Sequence, residues 1–92
     1  MIKVLCSTVD SVYTSEYYPD ICCGELLRNC CVNLGIDPEM EDGVVQNIDV
    51  FIDLLENDSW IPWKYHPSHR IEKYCNGNNN MLLLRLQEKV RN

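Results

Sequence analysis

Between Asp20 and Gly35 the chain carries the segment that most narrows its possible folds. Projected at about 100° per residue, Cys22, Cys23, Leu26, Leu27, Cys30, Cys31 and Leu34 fall in one half of the wheel. Glu25, Arg28 and Asn29 lie opposite. Asp20 is placed to cap a helix that runs through Leu34, and Gly35 supplies the left-handed residue that ends it. All four cysteines of the segment then face inward. A helix with one apolar side must bury it against a second layer. With 92 residues in all, the chain has room for a single domain (1–92) around one small core.

The rest of the chain must supply that layer. Residues 1–9 alternate Ile2, Val4 and Cys6 with Lys3, Leu5 and Ser7, which reads as a strand. Residues 10–19 are polar and tyrosine-rich and read as a connection. Asp37-Pro38-Glu39 is a helix-start signal, so a second helix begins either there or after Gly43. Over 44–57, Val44, Val45, Ile48, Phe51, Ile52, Leu54 and Leu55 make a wide apolar face. Asp42, Gln46, Asp49, Asp53 and Glu56 make a narrow stripe behind it. Ser59 to Pro67 is an aromatic loop broken by two prolines. Residues 70–75 read as a strand, Asn76 to Asn80 as a turn, and Met81 to Val90 as a strand with Leu82, Leu84 and Leu86 inward, a short helix being the alternative. The expected fold is α+β in the order β-α-α-β-β: a small, mostly antiparallel sheet with two amphipathic helices on one face.

Charge narrows the function. There are 14 acidic and 8 basic residues, a net charge of −6. That disfavours nucleic acid or an anionic membrane as direct partner, since both are bound by clustered Lys and Arg. No apolar run approaches a membrane span, and the first ten residues lack the apolar stretch of a signal peptide. The expected compartment is the cytoplasm. The charge is also divided, −10 over residues 1–60 and +4 over 61–92. Asp37, Glu39, Glu41, Asp42, Asp49, Asp53, Glu56 and Asp58 occupy 37–58 without one Lys or Arg between them. On the expected second helix, Asp42, Asp49, Asp53 and Glu56 share one face. That face is either a solvated surface that keeps the chain soluble or a negative surface that docks a basic partner. The basic partner is either the chain's own C-terminal third, within or between subunits as in a homodimer, or another protein. A row of carboxylates on a helix can imitate backbone phosphates, which lie about 3.4 Å apart along each strand.

In size, composition and the acidic stretch 37–58, the chain resembles the small acidic DNA-mimic inhibitors made by phages. Some of these block restriction nucleases or nucleoid-binding proteins. They share no motif or fold, so no residue is carried over by pattern. The chain departs from them in its modest net charge and its basic C-terminal third. The resemblance implies a non-enzymatic inhibitor, in the host cytoplasm if viral, that competes with nucleic acid for a basic DNA-binding protein. Its partner-binding residues would be the eight acids of 37–58 together with Trp60 and Trp63, with no cofactor.

Other chemistry is formally available. Cys6, Cys22, Cys23, Cys30, Cys31 and Cys75 are read as buried free thiols rather than three disulfides. His66 and His69, with Cys75 and Cys6, have the ligand types of a zinc site, though not the spacing of a known finger. The alternative function is therefore a small zinc-binding or thiol-containing module, or an interaction subunit of a larger complex. Cys22-Cys23 and Cys30-Cys31 diverge on a helix and cannot readily chelate as pairs. Cys75 and His69 could form a nucleophile and base, but nothing in the sequence orients them. The four glycines are scattered and make no phosphate-binding loop. Trp60, Trp63 and Tyr65, with Tyr13, Tyr17 and Tyr18, serve either as an interface anchor or as a roof on the core.

Overall fold

The computed structural model describes residues 1–53, 60–75 and 80–90. Strand β1 (Ile2–Ser7) turns tightly into β2 (Val12–Tyr17), and helix α1 (Cys23–Asn33) follows. Two short strands, β3 (Met40–Glu41) and β4 (Val44–Val45), form a hairpin. Then come β5 (Ile48–Asp53), β6 (Trp60–Pro62), a 3₁₀ turn (Ile71–Tyr74) and β7 (Met81–Glu88). The main sheet has the order β2-β1-β7-β5-β6. Its central pair, β1 with β7, is parallel, and the other pairs are antiparallel.

Helix α1 covers one side of this sheet. Ile2, Val4 and Cys6, Leu82, Leu84 and Leu86, and Ile48, Val50 and Ile52 point into one core from the three central strands. Cys23, Leu26, Leu27, Cys30 and Cys31 meet them from the helix, and Val45, Trp63 and Ile71 close the cluster. Gly35 ends the helix as the sequence implies, with φ +79°. The N–H of Ile36 donates to the Cys31 carbonyl (2.8 Å) and that of Gly35 to the Val32 carbonyl (3.2 Å), so two terminal carbonyls are satisfied. At the other end the cap is not Asp20. Cys22 occupies the cap position without a side-chain hydrogen bond. The helix's first N–H groups instead reach the loop after β6: Cys23 donates to the His69 carbonyl (2.9 Å) and Gly24 to that of Pro67 (3.0 Å). Gly24 allows this close approach, since a Cβ there would lie 2.5 Å from the Gly43 carbonyl oxygen.

The expected architecture with two helices and the order β-α-α-β-β is not what forms. Among the described residues there are one α-helix and a five-stranded mixed sheet beside a two-stranded one. The stretch expected as a second helix is β4 and β5 up to Asp53. Ile48, Val50 and Ile52 are buried while Asp49, Phe51 and Asp53 face the other side, a period of two built on β-branched residues. Asp37-Pro38-Glu39 starts no helix. Asp42 and Gly43, at φ 51° and 81°, form the two-residue turn between β3 and β4, and Asp-Gly is a sequence suited to it. Residues 10–19 are largely strand β2 rather than a connection. Residues 71–74 form a 3₁₀ turn rather than a strand, with Ile71 fully buried. The expected helical residues Leu54 to Asn57 and most of the Asn76 to Asn80 turn lie outside the described residues.

Candidate functional site

The side of the sheet away from α1 is a second surface with its own composition. Strand register arranges it in rows. One runs Thr14, Leu5, Leu83, Asp53, Trp60, and the next Val12, Ser7, Arg85, Phe51, Pro62. Glu16, Lys3 and Met81 begin a third. Leu5, Phe51, Trp60, Met81 and Leu83 are each half-buried. No described element lies across them. The Arg85 guanidinium carbon sits 5.0 Å from the Trp60 ring centroid, within range of a cation–π contact. Asp49, at one end of β5, meets Lys89 at 4.0 Å, with both side chains about half exposed. Such a pair contributes at most about 1 kcal/mol in water. The result is an apolar strip with charges of both signs set into it, Asp53 between Leu83 and Trp60 and Arg85 between Ser7 and Phe51.

The acidic residues singled out in the sequence do not form one row. Asp37, Glu39, Glu41 and Asp42 are exposed along the approach to and turn of the β3–β4 hairpin. Asn47 stitches this segment down, with Nδ2 donating to the Asp37 carbonyl (2.9 Å) and Oδ1 accepting from the Glu39 N–H (2.9 Å). Asp49 and Asp53 lie on the open face of β5. Four residues apart in a strand is about 13 Å, twice the separation they would have on a helix. Glu56 and Asp58 lie outside the described residues.

The two tryptophans separate. Trp60 lies on the open face, while Trp63 is 8% exposed and roofs the core. Trp63 contacts Tyr65 (ring centroids 5.0 Å) and meets Tyr74 edge-on (5.2 Å). Tyr13 and Tyr17 turn toward α1, where the Tyr17 hydroxyl donates to Asn29 Oδ1 and sits 3.1 Å from the Tyr13 hydroxyl. Burial and that hydroxyl contact push the Tyr17 pKa upward. Tyr18 is 71% exposed.

The other candidate constellations are not assembled. Cys6 lies in the core beside Cys30 and Cys31, away from the histidine loop. Among the described residues no group of three or more His, Cys, Asp or Glu side chains is placed to hold a metal. His66 and His69 stack at 4.6 Å, and both Nδ1 atoms are engaged. That of His66 accepts from the Ser68 N–H (3.2 Å), and that of His69 lies 3.1 Å from the Tyr74 hydroxyl. All six cysteines are free thiols. A hydrogen bond with Cys30 and burial hold Cys6 far above the ordinary thiol range. Burial pushes Cys23 up to about 12 and Cys31 up to about 11, and raises Cys75. Thiols so raised carry no thiolate at neutral pH, the form that nucleophilic chemistry requires.

What the sequence reading missed is the open face itself. Its signal was in β5, where Asp49, Phe51 and Asp53 alternate with buried Ile48, Val50 and Ile52 at a period of two.

A mixed sheet of this order with one covering helix defines a ubiquitin-like fold. A solved structure shares it: a computationally designed protein based on the template of human erythrocytic ubiquitin, determined by NMR in solution. The TM-score is 0.53, with 18% identity over 99% of this chain and 98% of that one. At that identity the likeness shows the fold alone. No family model matches the chain, and no curated protein matches it. Among the described residues no helix is long and apolar enough to cross a membrane.

Proposed function

We propose that this chain is a non-enzymatic protein-binding module whose partner docks on the open face of the sheet. The observation that carries this reading is the strip of Leu5, Leu83, Phe51 and Trp60, with Arg85 against the Trp60 ring, on the side that α1 leaves uncovered. Half-exposed aromatic and arginine side chains beside aliphatic ones are the composition of interface anchors. A sheet face that only met water would be expected to show polar residues there.

The acidic residues favour a basic partner. Asp37 and Glu39 stand exposed beside Asn47 at the start of β5, Glu41 and Asp42 are exposed on the hairpin, Asp49 lies at the edge of the strip, and Asp53 lies within it between Leu83 and Trp60. Charges at a rim steer association more than they hold it, so binding should weaken modestly with salt. Imitation of a phosphate backbone, as in the phage inhibitors, rested on an evenly spaced stripe along a helix. With that helix replaced by β3, β4 and β5, the basic partner is kept in this proposal and the imitation of DNA is not.

The test is affinity capture under reducing conditions with three proteins: the wild type, Phe51→Ala with Trp60→Ala, and Asp37→Asn with Glu39→Gln, Glu41→Gln and Asp42→Asn. A partner retained by the wild type, lost by the aromatic variant and weakened by the neutralised one supports the proposal. Undiminished capture by a folded aromatic variant overturns it.

A further inference from the structure

The two edges of the sheet are built differently. Edge strand β6 is three residues long and contains Pro62, which cannot donate a ladder hydrogen bond. Edge strand β2 is six residues long and holds no proline, no lysine and no arginine. Those are the devices by which a sheet edge commonly avoids pairing with another chain.

The direction of β2's backbone groups follows from its turn. The Thr8 N–H donates to the Ser11 carbonyl (2.9 Å), so Ser11 points into the hairpin. Alternation then turns the backbone groups of Tyr13, Ser15 and Tyr17 toward β1, and those of Val12, Thr14 and Glu16 outward. The β1 side agrees: the Lys3 N–H donates to the Asn80 carbonyl next to β7, away from β2. Among the described residues, no turn, loop or cap hydrogen bond engages the outward groups of Val12, Thr14 or Glu16. Val12 is 67% exposed.

We propose that β2 pairs with β2 of a second copy of this chain, antiparallel about a two-fold axis at Thr14. This inference does not rest on the reading of the open face. A two-fold axis at an outward-pointing residue makes that residue face itself. Thr14 then opposes Thr14 of the partner copy, and Val12 opposes Glu16 in both directions. All three outward residues of each strand complete hydrogen-bonded pairs, two bonds to each pair. No like charges face each other, and Glu16 keeps Lys3 as its neighbour across β1. The two main sheets become one continuous sheet with both open faces on the same side. Because each copy carries a net charge of −6, added salt strengthens this association by screening repulsion.

Sedimentation equilibrium under reducing conditions tests it, with circular dichroism as the check of folding. The wild type should sediment at twice 10.7 kDa at high concentration. Thr14→Lys and Thr14→Glu should each be monomeric, because each puts like charges face to face. An equimolar mixture of the two should associate again, because Lys then faces Glu. A wild type that stays monomeric into the millimolar range overturns the proposal. So does a dimer that survives Thr14→Lys, or a mixture of folded variants that does not associate.

Discussion

The two sides of the main sheet use the same three central strands for opposite ends. Toward α1, the positions of β1, β5 and β7 are aliphatic or thiols except for exposed Glu88 at the end of β7, and the cluster contains no buried charged or polar residue. Away from it, the intervening positions mix Leu5, Leu83 and Phe51 with Lys3, Asp49, Asp53 and Arg85. If the open face is the docking surface proposed above, one sheet separates stability from recognition residue by residue. Substitutions on the covered side should change folding, and those on the open side should change binding.

The largest break in that division should come from the core. Leu84→Ala removes a fully buried side chain at the centre of the sheet. It should destabilise the fold by about 2–5 kcal/mol, measured by urea denaturation. Gly24→Ala comes next. Its methyl group would collide with the Gly43 carbonyl, where α1 meets the hairpin and the Pro67 loop. Overpacking of this kind costs about 1–3 kcal/mol and should lower the thermal midpoint. Phe51→Ala, one strand position away from buried Ile52, should cost less than either while affecting partner capture more than both.

A smaller effect, confined to acid, should arise at His69. Desolvation, with Lys73 and His66 nearby, lowers its pKa below the ordinary 6.5. The unfolded chain therefore takes up this proton first as pH falls, and stability should decline below about pH 6.5 until the folded form is protonated too. Comparing thermal midpoints of the wild type and His69→Gln between pH 8 and 5 isolates this contribution, which the variant should lack. Smallest of all, Asp49→Asn breaks only the exposed contact to Lys89. It should shift stability by no more than about 0.5 kcal/mol in the same denaturation assay.

How much was legible follows from local pattern. Helix α1 could be read because Leu26, Leu27, Cys30 and Cys31 recur at helical spacing and Gly35 ends the run. Strand β7 could be read from Leu82, Leu84 and Leu86. Segment 44–53 misled because Val44, Val45, Ile48, Phe51 and Ile52 fit a wide helical face as well as a strand, and the wheel ignores β-branching. Asp42-Gly43 was the local sign that favoured the hairpin. Strand β2 was hidden because Tyr13, Ser15 and Tyr17 alternate with Val12, Thr14 and Glu16, with little contrast in polarity. The parallel pairing of β1 with β7 joins residues nearly eighty positions apart, and no local pattern encodes it. The candidate site depended on that pairing, since Leu5 and Leu83 become neighbours only through it. Of the ten positions singled out from the sequence, Trp60, Asp49 and Asp53 lie on the open face, and Trp63 lies in the core.

The most direct measurement is the affinity of a purified captured partner for the wild type and for Phe51→Ala with Trp60→Ala, at matched thermal stability. If the open face is the docking surface, the double variant should bind at least about 30-fold more weakly, the loss typical of hot-spot residues. Equal affinity for the two proteins would contradict the account.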